Sequence, residues 1–245
     1  MAKRMLMRLT TLLVALASLQ FPARAVEQVD LILVLAADVS RSVDAQKFKL
    51  QREGYAQAIA NPQAVRAMLN GQHKKIALQF VEWSAAQEQK VVIDWTLIAS
   101  TADAEAFSAK VLAAERPFFS RTAIGPAIDF SMAQLGRSPY GAERRVIDIS
   151  GDGTHNHGRE VTMARDEAIA KGVVINGIAI LSAVPLAINP GHTHPPGGLL
   201  KYYEDNVIGG PGAFALSAES FEEFGPAFLK KLIREVAEAE TRPGG

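Results

Sequence analysis

Cysteine is absent from the 245-residue chain, which removes disulfide scaffolds, Cys-ligated zinc, iron–sulfur centres and thiol chemistry. Aromatic residues make up only 7%, and the 12 prolines and 19 glycines are scattered, which excludes collagen and low-complexity chains. Neither sign of charge is in excess, with 26 Lys+Arg against 26 Asp+Glu. The balance hides an asymmetry. Residues 1–25 hold Lys3, Arg4, Arg8 and Arg24 and no acid, so the other 220 residues carry 22 basic and 26 acidic side chains, a net of −4. An acidic body gives no electrostatic basis for nucleic-acid binding. No stretch reaches transmembrane length: residues 9–19 (LTTLLVALASL) are 11 apolar or nearly apolar positions where a bilayer needs roughly 20.

A basic start, a short apolar run and Ala23-Arg24-Ala25 together have the pattern of a secretory signal peptide over residues 1–25. Cleavage after Ala25 would leave Val26 as the mature N-terminus, and no Cys follows to carry a lipid. The reading is an exported protein, periplasmic or secreted by a bacterium, with residues 26–245 as a single domain and no membrane span.

The apolar run 29–36 (VDLILVLA) reads as a strand buried on both faces. Residues 44–60 follow as an amphipathic helix through Phe48, Tyr55 and Ile59. Two β-like runs, 74–82 and 89–95, flank the polar segment 84–88 and predict a hairpin. Ser100 and Asp103 form a capping box before a helix bearing Phe107 and Val111. A helix over Ile124, Ile128, Met132 and Leu135, a strand at 145–149, a helix at 158–171 ended by Gly172, and a strand at 173–181 (VVINGIAIL) come next. Residues 182–198 read as a long surface loop, 199–207 as a short helix and 213–217 as a last strand. The final helix carries Phe221, Phe224, Phe228 and Leu232, with a kink or restart expected at Pro226 and a solvated face at Glu235, Glu238 and Glu240. Apolar strands alternating with helices predict an α/β fold with a parallel sheet covered on both faces.

Ligands of such sheets sit beyond the C-terminal strand ends, at the switch point of strand order. Three polar clusters fall there: Asp38-Val39-Ser40-Arg41-Ser42, Ser120-Arg121-Thr122 and Ser150-Gly151-Asp152-Gly153. A turn in Asp-x-Ser-x-Ser can aim Asp38, Ser40 and Ser42 at one point, and Thr122 and Asp152 can join them through the fold. Two carboxylates and three hydroxyls suit a hard cation such as magnesium, which takes six oxygen ligands and tolerates one or two carboxylates. Taken singly, the hydroxyls read equally well as helix caps and the acids as loop solubilisers. His155 and His157, with His192 and His194, emerge on the same face and offer a secondary transition-metal site, against the plainer reading of exposed loop histidines.

The Asp-x-Ser-x-Ser pattern after a buried strand, the later Thr at a helix start and Asp-Gly after another strand resemble the von Willebrand factor A domain and its metal-ion-dependent adhesion site. Within that superfamily, ADVSRSV at 37–43 and YYEDNVIGGPGAF at 202–214 look like the bacterial secreted family known as domain of unknown function 1194. The resemblance implies a doubly wound three-layer α/β/α domain with a mostly parallel six-stranded sheet and one antiparallel edge strand. It also implies Ser40, Ser42 and Thr122 as direct ligands of Mg2+ (or Mn2+/Ca2+), and Asp38 and Asp152 holding the ion partly through water. A protein partner would bind through an acidic side chain, without enzymatic activity. The usual Thr-Asp-Gly is here Gly151-Asp152-Gly153, which lacks a hydroxyl. As an alternative, Gly151-Asp152-Gly153-Thr154-His155-Asn156 is similar to the magnesium motif of haloacid-dehalogenase-like phosphatases, with Asp38 as nucleophile. Ser40 then stands where those enzymes carry an acid/base Asp, and Asn156 where they carry an acid.

Overall fold

A computed structural model describes residues 26–237; the signal-peptide reading and the segment from residue 238 onward lie outside the described residues. In chain order the elements are β1 (Glu27–Gln28), β2 (Ile32–Asp38), α1 (Ala45–Ile59), α2 (Pro62–Met68), β3 (Ile76–Trp83), β4 (Gln89–Ile98), α3 (Thr101–Ala113) and α4 (Ile124–Leu135). Then come β5 (Tyr140–Gly141), β6 (Arg145–Gly151), α5 (Val161–Ala170), β7 (Val174–Ile180), α6 (Pro190–Thr193), α7 (Leu199–Asn206), β8 (Ala215–Ala218) and α8 (Phe224–Ala237). Six strands form one sheet in the order β4-β3-β2-β6-β7-β8, and β1 pairs with β5 in a small separate ribbon. Only β4 runs antiparallel, as the hairpin partner of β3, so the three-layer fold with one antiparallel edge is present.

Strand periodicity explains the two layers. Along β2, Leu33, Leu35 and Ala37 pack with Tyr55 of α1, Phe107 of α3 and Phe224, Phe228 and Leu232 of α8. The alternate residues Ile32, Val34 and Ala36 pack with Ile124 and Ile128 of α4, Ala164 of α5 and Tyr203 of α7. Every residue of β2 is buried, which is why its sequence reads as a continuous apolar run rather than an alternation.

Local chemistry sets the element ends. Asp44 caps α1 by accepting from the Lys47 amide at 2.9 Å. At α3 the capping box forms, with the Asp103 amide donating to Ser100 Oγ at 3.2 Å. The helix at 158–171 is shorter than the periodicity predicts and spans Val161–Ala170, with Gly172 beyond its end at φ +73°. Helix α2 was not legible as a separate element, although Asn61 caps it and Pro62 opens it. Pro226 neither kinks nor restarts α8: it is the third residue from Phe224, where its missing N–H leaves no helical bond unmade.

The chain moves from β2 to β3 on one side and later builds β6, β7 and β8 on the other, so the strand order switches between β2 and β6. Their C-terminal ends, Asp38 and Gly151, open into the crevice where such sheets bind ligands.

Candidate functional site

Asp38 is the last residue of β2 itself rather than a loop residue, and it is fully buried. Its Oδ1 accepts the Ser40 amide at 2.7 Å, bending the chain back over the strand end. From there the hydroxyls form a chain. Thr122 Oγ1 donates to Ser40 Oγ at 3.1 Å, Ser40 and Ser42 share a hydrogen at 3.2 Å, and Ser42 Oγ donates to Asp152 Oδ1 at 2.5 Å. Thus the fold gathers Asp38, Ser40, Ser42, Thr122 and Asp152, all buried, from segments as far apart as 110 residues.

None of the three hydroxyls caps a helix. Asp44 performs that role for α1, and α4 starts at Ile124 behind Ala123, which offers no side-chain cap. Two carboxylates share the site, and the cation beside Asp152 is the Lys47 ammonium, at 3.4 Å. Asp38 Oδ2 is buried with no hydrogen-bond partner. Burial pushes the Asp38 carboxyl well above the usual carboxylate range, the nearby Asp152 charge adds to this, and the Ser40 hydrogen bonds pull partly back. A buried carboxylate with an unpartnered oxygen, a second carboxylate and three linked hydroxyls at one strand end make up a donor set that a divalent cation would satisfy. These five residues could hold such an ion.

The supports around the five residues were not visible in the sequence as a pattern. Arg116 places one guanidinium nitrogen 2.7, 2.9 and 2.7 Å from the carbonyls of Val39, Ser40 and Val43, fixing the loop that carries the serines. Asn156 fastens Thr122 from both sides: its Oδ1 accepts the Thr122 amide at 3.0 Å and its own amide donates to the Thr122 carbonyl at 2.9 Å. Ser84, just past β3, accepts from the Ser120 amide at 2.9 Å and donates to the Arg121 carbonyl at 3.0 Å. Below the site, a Cβ on Gly151 would stand 2.7 Å from Tyr203 Oη and 3.0 Å from Asp38 Oδ2. Both oxygens therefore face the same glycine, and only a residue without a side chain fits between them.

Replacing Arg116 by Ala should leave the core intact but release the three carbonyls. Outer supports of this kind are worth about 10- to 100-fold in metal affinity, and calorimetric titration with manganese checks the loss.

The four histidines divide. His192 is buried rather than exposed, with Nε2 3.3 Å from Thr122 Oγ1. Its ring covers Gly153, where an added Cβ would collide with the imidazole. His157 Nδ1 accepts the Ala86 amide at 3.0 Å, and His194 Nδ1 lies 3.0 Å from Thr193 Oγ1. His155 Nδ1 is buried without a partner. Among the described residues no group of three or more His, Asp or Glu side chains is arranged to hold a metal, so the structure does not bring these histidines together as one site. The segment 182–198, expected as a plain surface loop, contains the short helix α6 and turns His192 and Thr193 inward.

The family model described as Protein of unknown function (DUF1194) matches residues 28–240. No curated protein matches the chain in sequence. Among solved structures, proximal thread matrix protein 1 (PTMP1) from the mussel byssus is similar at a TM-score of 0.62 and 15% identity, covering 86% of this chain and 49% of that one. The pilus adhesin SpaC from Lactobacillus rhamnosus GG gives 0.59 and 12%, covering 87% and 31%. A von Willebrand factor type A protein from Catenulispora acidiphila gives 0.54 and 14%, covering 87% and 43%. The chain spans half or less of each of these proteins, and at such identities the likeness is one of fold. A second PTMP1 structure is described as having a zinc-occupied MIDAS motif.

Proposed function

Because the chain belongs to the family Protein of unknown function (DUF1194), whose description assigns no activity, we infer its role from its site. We propose that it is a non-enzymatic module that binds a protein partner through a divalent ion, Mg2+ or Mn2+/Ca2+, held by Asp38, Ser40, Ser42, Thr122 and Asp152. The observation that carries this reading is the buried, unpartnered Asp38 Oδ2 at the same strand ends as a chain of three hydroxyls that cap nothing and run to Asp152. Hydroxyl donors outnumber carboxylates, so an ion bound here keeps net positive charge and can accept an acidic side chain from outside. The von Willebrand A fold, and the zinc-occupied motif of one structural neighbour, support the same reading.

The phosphatase alternative is not favoured. Ser40 Oγ is engaged with Ser42 and Thr122, Asn156 is committed to the Thr122 backbone, and neither supplies the acid that mechanism requires. We also propose export, supported by the basic, apolar and small-residue pattern of residues 1–25. No helix among the described residues is long and apolar enough to cross a membrane.

Calorimetry with magnesium and with manganese tests the site, and binding of either ion should be measurable at millimolar concentration or below. No heat with either ion, even with acetate present as a carboxylate ligand, refutes the proposal. N-terminal sequencing of the exported protein should begin at Val26, and a retained Met1 overturns the export reading.

A further inference from the structure

The mouth of the site is a cleft of about 360 Å3 whose lining includes Ser42, Thr122 and His192 as well as Arg41, Arg121, Leu186 and Ile188. No acidic residue lines it. Arg41 and Arg121 are both exposed, and among the described residues neither guanidinium forms an ion pair, unlike Arg52, Arg159 and Arg165. The apolar side is equally unusual. Ile188 is 95% exposed and Leu186 36%, so neither contributes much to the core of this chain.

That apolar ridge is anchored from beneath. The Leu186 amide donates to Thr193 Oγ1 at 3.1 Å, and the Asn189 amide to the Leu186 carbonyl at 3.1 Å. The Thr154 amide donates to the His192 carbonyl at 2.9 Å, tying the segment to the chain just past β6. A shaped rim with free cationic and aliphatic groups beside one cleft marks a recognition surface rather than a solvated loop.

We infer that this rim sets the partner's chemistry: a protein segment with two nearby acidic residues and a large aliphatic side chain between or beside them. This rests on the metal-dependent reading above, which supplies the contact for the first acid. The second acid pairs with Arg41 and Arg121, since two unpaired guanidiniums and no acid in the cleft favour negative charge. The aliphatic side chain covers Leu186 and Ile188. Charge alone would suit an acidic polysaccharide equally well; the apolar ridge favours a polypeptide.

The test is a bead-displayed random peptide library panned on the full chain with magnesium, with polygalacturonate as a competing probe. Magnesium calorimetry is run on every variant. In the wild type the enriched peptides should carry two acids and an aliphatic residue, and chelator should release them. An Arg41→Ser/Arg121→Ser variant should keep its magnesium affinity, lose the preference for the second acid and bind enriched peptides roughly three- to tenfold more weakly. A Leu186→Ser/Ile188→Ser variant should keep the acids, lose the aliphatic preference and weaken binding by roughly tenfold. Peptides with one acid and no further preference, tight polygalacturonate binding that displaces all peptides, or magnesium binding without any enrichment would each overturn the inference while leaving the metal site standing. Absence of magnesium binding in the wild type would instead remove the reading beneath it.

Discussion

An Asp38→Asn variant should show no heat of magnesium or manganese binding at millimolar ion, yet its metal-free form should melt a few degrees above the metal-free wild type. Both halves follow from one atom. Asp38 Oδ2 is buried with no hydrogen-bond partner, and the carboxyl lies close enough to Asp152 for the two charges to repel. Without a cation this is a cost to folding of about 1–3 kcal/mol, the size of a buried polar group left unsatisfied. Asn keeps the Oδ1 acceptor for the Ser40 amide and removes the buried charge with its repulsion by Asp152; its Nδ2 stands where the unpartnered oxygen stood, so the gain is the electrostatic part alone. In a domain of this size each kcal/mol moves the melting temperature by about 2–4 °C. The wild type should recover the deficit when the ion is added, since ion at a hundred times its Kd stabilises by about 2.7 kcal/mol. Asp38→Ala should abolish binding as well, but without the gain, because it strands the Ser40 amide. Asp152→Asn should weaken binding less, because its Oδ1 would still face Ser42. Differential scanning calorimetry with and without magnesium checks all three. A wild type whose melting temperature ignores magnesium, or a metal-free Asp38→Asn that melts below wild type, would contradict the argument.

The fold was legible because its central strands carry their own signature. β2 and β7 are buried on both faces and spell it out in continuous apolar runs, and the hairpin announces its turn in residues 84–88. The gathering of Asp38, Ser40, Ser42, Thr122 and Asp152 at one place was legible for a related reason: each stands where a strand ends or a helix begins, which the element pattern alone places. Their supports were not. Arg116 lies in the irregular stretch between α3 and α4, and its three carbonyl partners become neighbours only when that stretch crosses the β2 loop. Asn156 read as a missing acid, whereas its amide is what positions Thr122. Residues 182–198 look like loop because α6 has only four residues, too few to show a period.

Glu235 shows the same limit in the core. Its spacing with Glu238 and Glu240 reads as a solvated face, but it is fully buried, because the face of α8 that carries it turns toward β6 and β7. There Lys231 Nζ lies 2.7 Å from Asp148 Oδ2 and 3.3 Å from Glu235 Oε2, and Asn176 Nδ2 donates to Glu235 Oε1 at 2.6 Å. One cation thus serves two buried carboxylates.

The second large effect belongs to this cluster. Burial raises the Glu235 carboxyl to about 7, with Lys231 opposing the shift and Asp148 adding to it. In the unfolded chain the same group ionises near 4.5. Between those values the native state holds a proton that the unfolded state has released, so raising the pH favours unfolding. The stability this group contributes is therefore full below about pH 4.5, falls as the pH climbs to about 7 and levels off above it. The loss is about 3 kcal/mol, at 1.36 kcal/mol for each unit of separation. Glu235→Gln keeps an acceptor for Asn176 and removes the titration, so urea unfolding should find it less pH-dependent than wild type and more stable at about pH 8. Lys231→Met should do the reverse. It leaves Asp148 and Glu235 buried without their cation, and breaking a buried pair in this way costs about 3–5 kcal/mol. The deficit should be largest above neutral pH and shrink in mild acid, where protonation relieves the stranded charges. If Lys231→Met is as stable as wild type at about pH 8, or if Glu235→Gln unfolds with the wild-type pH dependence, the charge balance assigned to α8, β6 and β7 is wrong.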